Sequence, residues 1–299
     1  MDSALKTTPS KVGCETSVDG IAPSEIMTVT LALQILLAQT AQDGESTRLP
    51  EKPQFLSTNL GTYVVKFPRR EAGRQWREHV SAFTAWLLFG QRVSAKRLRT
   101  GDIRHEAQRL DELAAAGIRV PRVVLETTDA LIMSHCGESV EKLLQRRLDE
   151  VLLHRVIAAL IELHRAGQWH GAAQVRNLTL LFPNNDDADD MSKGWLYRID
   201  FEENTGNAMP LALAQAYDVL LCFNSLAPHI GHDVKLGTQL LTTYLQYVSN
   251  KEIIYYLKRA YKVLRCLRVI FLKHLHKNKP NQDIKNTLYF TQLLKQISL

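Results

Sequence analysis

The chain has 299 residues, of which 45% are hydrophobic, and a formal net charge of +6. This length and composition suit a globular protein with one large domain or two lobes. No apolar run reaches the roughly 18–20 residues that span a bilayer, and the N-terminus lacks the basic start and apolar block of a signal peptide. We therefore expect a cytoplasmic protein.

The cysteines and histidines do not predict a metal site of their own. The four cysteines show no CxxC or other metal-ligand spacing, which favours free thiols in a reducing compartment: Cys14, Cys136, Cys222 and Cys266. His274 and His276 are two residues apart on a predicted helix and so face different ways.

The N-terminal part of the chain begins with a polar stretch. Residues 1–25 are rich in Ser, Thr and Gly, which predicts a disordered extension. Apolar residues then alternate over 27–37, which favours a strand, although Leu36 breaks the alternation and leaves a helix open. A turn at Asn59 leads into a β-branched and aromatic strand over 62–67.

The remaining elements are mostly helical. A helix is predicted over 102–116, with Asp102 as its N-cap and Gly117 as its stop, followed by a hairpin of 119–125 with 130–133. Helices then follow over 140–166, 211–225, 235–248, 252–277 and 283–297. The chain thus reads as α+β. Residues 26–136 form a strand-rich N-terminal lobe, a β-sheet plus one main helix, and residues 137–299 form a helical C-terminal lobe.

The segment from His170 to Glu203 carries the most informative motif. It opens with HGAAQVRN, so that Asn177 lies seven residues after His170, and a polar insert and a short apolar strand then lead to Asp200. Asn and Asp side chains supply the hard oxygen ligands that Mg²⁺ prefers. Asn177 and Asp200 are therefore candidate ligands for a hard metal ion.

Three further residues fit a site for nucleotide phosphates. Lys66 lies inside an apolar strand, where an ammonium is costly unless it has a partner or points outward. Glu106 lies on the following helix, which could reach back over that strand. Asp218 is a lone acid at the start of an apolar helix, where it is suited to accept hydrogen bonds from backbone N–H groups below a catalytic loop.

Over roughly residues 55–225 the chain resembles the protein-kinase-like superfamily. The likeness is greatest to its small-molecule and lipopolysaccharide-core kinase branch, which includes aminoglycoside-phosphotransferase-like and other bacterial atypical kinases. The blocks that carry the likeness, in this order, are VVK at 64–66, EAQRLDELAAAGIRVPRV at 106–123, LIMSHCGES at 131–139, LHRAGQWHGAAQVRN at 163–177, IDFEE at 199–203 and AYDVLL at 216–221.

The resemblance implies a two-lobed kinase fold with ATP and Mg²⁺ as cofactors. Lys66 would contact the nucleotide phosphates and pair with Glu106, and Asn177 and Asp200 would bind Mg²⁺. His170 and Asp218 would brace the catalytic loop, and residues 133–137, with Met133 and Cys136, would form the hinge beside the adenine.

The sequence departs from the family pattern in two places. The family has an Asp that accepts the proton of the attacking hydroxyl where this chain has Ala172. Such a base typically raises the rate of the catalysed reaction by about 10²- to 10⁴-fold. In addition, no GxGxxG precedes Lys66, and only Gly44 in QDGES offers a phosphate-covering turn. The basic segment 69–99 lengthens the spacing from Lys66 to Glu106, and it is either an insertion or a substrate element.

Glu202 is the candidate replacement for the missing base. In an extended segment, alternate side chains share a face, so Glu202 would lie beside Asp200 and bind a second metal or orient a hydroxyl. The alternative is a solvated loop acid.

Two functions follow from these residues. The first is an ATP-dependent phosphotransferase acting on a small-molecule or lipid- or lipopolysaccharide-linked hydroxyl. The second is a catalytically inactive pseudokinase that serves as a nucleotide-binding or interaction module.

The basic, amphipathic C-terminus from residue 251 predicts a packed helix with a solvated basic side, with contact to the anionic inner face of a membrane as an addition. Nucleic-acid binding is not expected, because no reading motif is present.

Overall fold

The computed structural model of the protein describes residues 21–42, 50, 52–68, 75–99, 101–183, 190–275 and 282–296. Within these ranges the fold is α+β. The helices are α1 (Pro23–Gln42), α2 (Gln75–Phe89), α3 (Ile103–Ala115), α4 (Val140–Arg146), α5 (Glu150–Arg165), α6 (Thr205–Ala208), α7 (Leu211–Leu226), α8 (Val234–Val248), α9 (Lys251–Leu275) and α10 (Gln282–Gln296). The strands are β1 (Gln54–Thr58), β2 (Gly61–Lys66), β3 (Val123–Glu126), β4 (Leu131–Ser134), β5 (Glu138–Ser139), β6 (Leu178–Leu181) and β7 (Trp195–Arg198).

The first four strands form an antiparallel sheet in the order β1-β2-β4-β3, covered by a helix on each face. Helix α1 packs on one face, where Val29 and Leu33 contact a cluster that includes Val65. Helix α3 packs on the other face through Ala107, Leu110 and Leu113, in a cluster that also contains residues of the helical region, Leu163 and Phe201. The face of the sheet that carries α3 is therefore packed against the C-terminal half of the chain.

Helix α1 corrects the strand predicted over 27–37. Its Val29 and Leu33 are one turn apart and buried, while Met27 and Leu31 are exposed. Apolar residues occupy both sides of this helix, so their alternation resembled that of a strand. The helix starts at Pro23, and Glu25 forms an ion pair with Arg122. The disorder predicted up to residue 25 is therefore wrong for 23–25, and residues 1–20 lie outside the described ranges.

The other predicted elements are largely confirmed. Strand β2, the β3–β4 hairpin and helices α3, α7, α8, α9 and α10 lie where the periodicity placed them. The helix predicted over 140–166 is two helices instead. The chain is extended at Arg147, and Asp149 starts α5 by accepting a hydrogen bond from the backbone N–H of Leu152 at 2.9 Å.

The C-terminal half has its own core, to which α4, α5, α7 to α10 and a three-stranded sheet in the order β5-β6-β7 contribute. Helix α2 joins this core although it precedes residue 136. Its Ala85, Leu88 and Phe89 are buried there, and the Phe89 ring meets the edge of Tyr256 on α9. The part of the segment between Lys66 and Glu106 that forms α2 is thus packed on the helical region.

Helix α9 matches the interpretation of a packed helix with a solvated basic side. Ile253, Leu257 and Ala260 are buried, whereas Lys258 and Lys262 are exposed. Within the described ranges, no helix combines the length and the apolar character that crossing a membrane requires.

Candidate functional site

The centre of the site is the ammonium group of Lys66, at the C-terminal end of β2. Its Nζ donates hydrogen bonds to Glu106 Oε1 at 2.6 Å and to Asp200 Oδ1 at 2.7 Å. The side chains of Lys66 and Glu106 are 14% and 3% exposed. One cation therefore joins the sheet, helix α3 and the segment after β7, which are far apart in the sequence.

Helix α3 brings Glu106 to this position. Asp102 caps the helix by accepting from the backbone N–H of His105 at 2.9 Å, so that Glu106 lies in the first turn. Ala107, Leu110 and Leu113 bury the adjoining side of α3 against the sheet. The packing of these apolar residues fixes the rotation of α3, and Glu106 therefore points toward Lys66.

The charges of this triad are strongly coupled. Burial lowers the pKa of Lys66, but the carboxylates of Glu106 and Asp200 outweigh burial and hold that pKa above its ordinary value. Burial raises the pKa of Glu106 against the opposing charge of Lys66, and Asp200 raises it further. An additional cation near the two carboxylates would relieve part of this repulsion.

The β6–β7 pairing places Asn177 and Asp200 at the same end of a hairpin. Leu178 pairs with Arg198, and the backbone N–H of Ile199 donates to the Asn177 carbonyl at 3.0 Å. The Asn177 side-chain nitrogen donates to the Ala172 carbonyl at 2.8 Å. The Asn177 amide is therefore oriented with its oxygen as the end that can bind a metal ion.

Asp200 has an unusual backbone conformation. Its φ angle of 70° lies in the left-handed region, which residues other than glycine seldom adopt. Such a residue costs of order 1–3 kcal/mol and persists where the surroundings impose it. Here the next residue, Phe201, is buried and stacks on the His170 ring with centroids 4.3 Å apart. The packing of Phe201 thus helps to hold Asp200 toward Lys66.

The loop from His170 to Ala172 is held from below by Asp218 on α7. This buried carboxylate accepts from the backbone N–H groups of His170 at 2.7 Å and Gly171 at 2.8 Å. His164, which was not identified from the sequence, contacts Asp218 in turn. Its Nε2 lies 3.4 Å from Asp218 and its Nδ1 lies 2.7 Å from the Tyr244 hydroxyl.

The His170 ring is a packing element of this loop. Its Nδ1 accepts from the backbone N–H of Ala172 at 3.3 Å, and burial lowers its pKa. The buried imidazole is stacked on Phe201 and braces the loop.

Ala172 lines a cleft of about 140 Å³ between the loop and helix α2. Two acids line the same cleft: Glu203, and Glu78 on α2. A Cβ atom built on Gly171 would lie 2.8 Å from the Cβ of Glu203, which places that acid directly against the loop. The Glu78 side chain is only 13% exposed and lies 4.0 Å from Arg99.

Glu202 lies near the triad, and its role as a replacement base or second metal ligand stays a prediction. It is not among the residues that line the Ala172 cleft, and its charge instead raises the pKa of Glu106. Its backbone carbonyl accepts from Gly101 N–H at 2.8 Å. The structure therefore brings Glu203, and not Glu202, to the position beside Ala172.

Residues 133–137 connect β4 to β5 between the two regions. Met133 is buried opposite Val64, and the His135 backbone N–H donates to the Thr62 carbonyl at 3.1 Å. The Cys136 thiol is buried within 3.7 Å of the Ser134 hydroxyl, and burial raises its pKa to about 11. Met133 and Ser134 are thus held in register with β2, and Met133 and Cys136 are the two buried side chains of this segment. Gly44 lies outside the described ranges.

No protein-family model matches the chain. No curated protein matches it either. Among the residues that the structure describes, no group of three or more His, Cys, Asp or Glu side chains is placed to hold a metal ion. Asn177 and Asp200 offer two oxygen ligands. Carboxylate and amide oxygens are among the hard ligands that Mg²⁺ accepts.

Proposed function

We propose that the chain binds Mg–ATP in a kinase-like site between a sheet-and-helix lobe and a helical lobe. The observation that carries the proposal is Lys66 Nζ, which lies 2.6 Å from Glu106 and 2.7 Å from Asp200. The ammonium belongs to the last residue of a strand and is buried between two carboxylates. Protein kinases use this arrangement to bind nucleotide phosphates.

Each part of the site has a role in this proposal. Asn177 and Asp200 would hold Mg²⁺, which would neutralise part of the phosphate charge. Lys66 would contact the phosphates, and Glu106 would keep Lys66 in place. Met133 and Cys136 would lie beside the adenine. Asp218 would hold the loop rigid below the transferred group, since phosphoryl transfer depends mainly on positioning and electrostatics.

For catalysis we propose transfer to a hydroxyl of a small-molecule or lipid- or lipopolysaccharide-linked acceptor, with Glu203 accepting the proton of that hydroxyl. Ala172 has no group that can accept a proton, whereas Glu203 lines the same cleft. Glu78 lies across the cleft and would orient the acceptor.

A pseudokinase is the second candidate, and Ala172 is the observation that favours it. Such a protein would bind Mg–ATP without transferring its phosphate. Turnover of ATP by the wild type and by Ala172→Asp separates the two functions, with Asp200→Asn as the control that lacks a metal ligand.

We expect measurable turnover by the wild type, and a loss of about 10²-fold or more in Glu203→Gln but not in Glu202→Gln. Turnover that appears only in Ala172→Asp would support the pseudokinase. Equal turnover in Glu203→Gln and the wild type would refute the role of Glu203.

A further inference from the structure

Helix α2 presents an aromatic face to the solvent. The side chains of Trp76, Val80, Phe83 and Trp86 are 64%, 49%, 57% and 48% exposed. Their spacing of four, three and three residues places them on one side of the helix, opposite the residues that enter the helical core. We call these four residues the α2 aromatic face.

Isolated exposed apolar side chains are normal, but a contiguous patch with several rings marks a surface that binds a membrane, another protein or a ligand. The rings of Phe83 and Trp86 pack against each other with centroids 5.7 Å apart. Amphipathic helices that lie on membranes carry Trp and Phe on their buried face, and Trp side chains favour the headgroup level. The composition of the face fits the boundary between lipid headgroups and acyl chains.

Cations lie close to α2. From His79 to Gly101 the chain contains no acid and four exposed basic residues: Arg92, Lys96, Arg97 and Arg99. Helix α9, which packs on α2, has seven Lys or Arg and one Glu. Its Arg259 guanidinium lies against Gly90, at the end of α2, and Lys258 and Lys262 are exposed on α9. Anionic headgroups would meet these cations except Arg99, which lies 4.0 Å from Glu78.

Helix α1 provides an internal comparison. Its Met27, Leu31 and Ile35 are 70%, 59% and 52% exposed and lie on one side of that helix. This face is as apolar as that of α2, but it has no ring, and α1 contains no Lys or Arg. Apolar exposure alone therefore does not distinguish the two faces, whereas aromatic rings and flanking cations do.

We propose that the α2 aromatic face docks on an anionic phospholipid bilayer, with Arg92, Lys96, Arg97 and the exposed cations of α9 on the headgroups. Docking does not rest on nucleotide binding. The opposite side of α2 contributes Glu78 and Ser81 to the Ala172 cleft. Docking would thus bring that cleft to about one helix diameter, roughly 10 Å, from the lipid surface.

The test is co-sedimentation of the full chain, without nucleotide, with vesicles of phosphatidylcholine alone or mixed with phosphatidylglycerol. We expect binding to the mixed vesicles to be at least tenfold tighter and to weaken at high salt, with a blue shift of the tryptophan emission. The double variant Phe83→Ser with Trp86→Ser should bind the mixed vesicles at least tenfold more weakly than the wild type. The double variant Lys96→Glu with Arg97→Glu should show the same loss of affinity. The matched control, Leu31→Ser with Ile35→Ser, should bind as the wild type does.

Equal binding to neutral and anionic vesicles would overturn the proposal. An equal loss in the α1 control would do the same, because it would show general hydrophobic adsorption. A wild type that binds no vesicles and is a dimer, while Phe83→Ser with Trp86→Ser is a monomer, would assign the face to a second copy of the chain. Because nucleotide is absent, a negative result here leaves the Mg–ATP site untouched.

Discussion

Replacing Lys66 with methionine tests the ion triad directly. The substitution removes the ammonium 2.6 Å from Glu106, a carboxylate that is 3% exposed. Breaking a buried ion pair by deleting one partner costs about 3–5 kcal/mol when the remaining charge persists. Glu106 can instead take up a proton, at about 1.4 kcal/mol for each pH unit between the solution pH and its pKa. The cost should therefore depend on pH.

The sign follows from the direction of the pKa shift. Burial raises the pKa of Glu106 in the folded protein, and Lys66 opposes that rise. A raised carboxyl pKa stabilises the fold below the unfolded pKa, and this contribution is lost as the pH rises through the folded pKa. Without Lys66 the folded pKa rises further. Lys66→Met should therefore cost less at pH 5 than at pH 8, where we expect a loss of about 3 kcal/mol or more.

Urea denaturation of the wild type and of Lys66→Met, at both pH values, measures this difference. The control is Lys66→Met with Glu106→Gln, which removes the isolated charge. Its stability should exceed that of Lys66→Met at pH 8, and the extra dependence on pH should disappear. A pH-independent loss below about 1 kcal/mol for Lys66→Met, or a double variant no more stable than the single one, would refute the buried triad.

Two further predictions concern the loop and the thiols. Asp218→Ala removes the carboxylate that binds the N–H groups of His170 and Gly171, and should lower the free energy of unfolding by about 2–4 kcal/mol in a urea titration. A loss below about 0.5 kcal/mol would show that the loop is held by other contacts. Iodoacetamide should label the exposed Cys266 well before Cys136 at pH 8, because Cys136 is buried and its thiol pKa is raised to about 11. Mass spectrometry of the peptides measures the order, and equal rates would contradict the burial of Cys136.

The sequence predicts the helices that have one apolar face and the strands that lie between turns. It fails for α1, where Val29 and Leu33 are buried but Met27 and Leu31 add a second apolar side. It also does not predict where α2 packs. The apolar residues of that segment indicate burial, but only the tertiary structure identifies α9 as the neighbour.

In the site, the motif spacing predicted which residues meet, but not the acid beside Ala172. The choice of Glu202 assumed an extended chain in which Asp200 and Glu202 share a face. Asp200 instead has a φ angle of 70°, which interrupts the alternation, so that Glu203 lines the cleft. Glu78 was not identified from the sequence, because no motif surrounds it. Only the packing of α2 brings Glu78 to the Ala172 cleft.

The most direct test of the Mg–ATP site is calorimetric titration of ATP into the full chain, with Mg²⁺ and with EDTA. The wild type should bind ATP more tightly with Mg²⁺, and Asp200→Asn, which removes one anionic ligand, should bind equally weakly in both. Asp190→Asn serves as the matched control, because Asp190 is exposed ahead of β7 and accepts a hydrogen bond from the Ser192 hydroxyl. Absence of binding at millimolar ATP, or an undiminished Mg²⁺ dependence in Asp200→Asn, would contradict the proposed site.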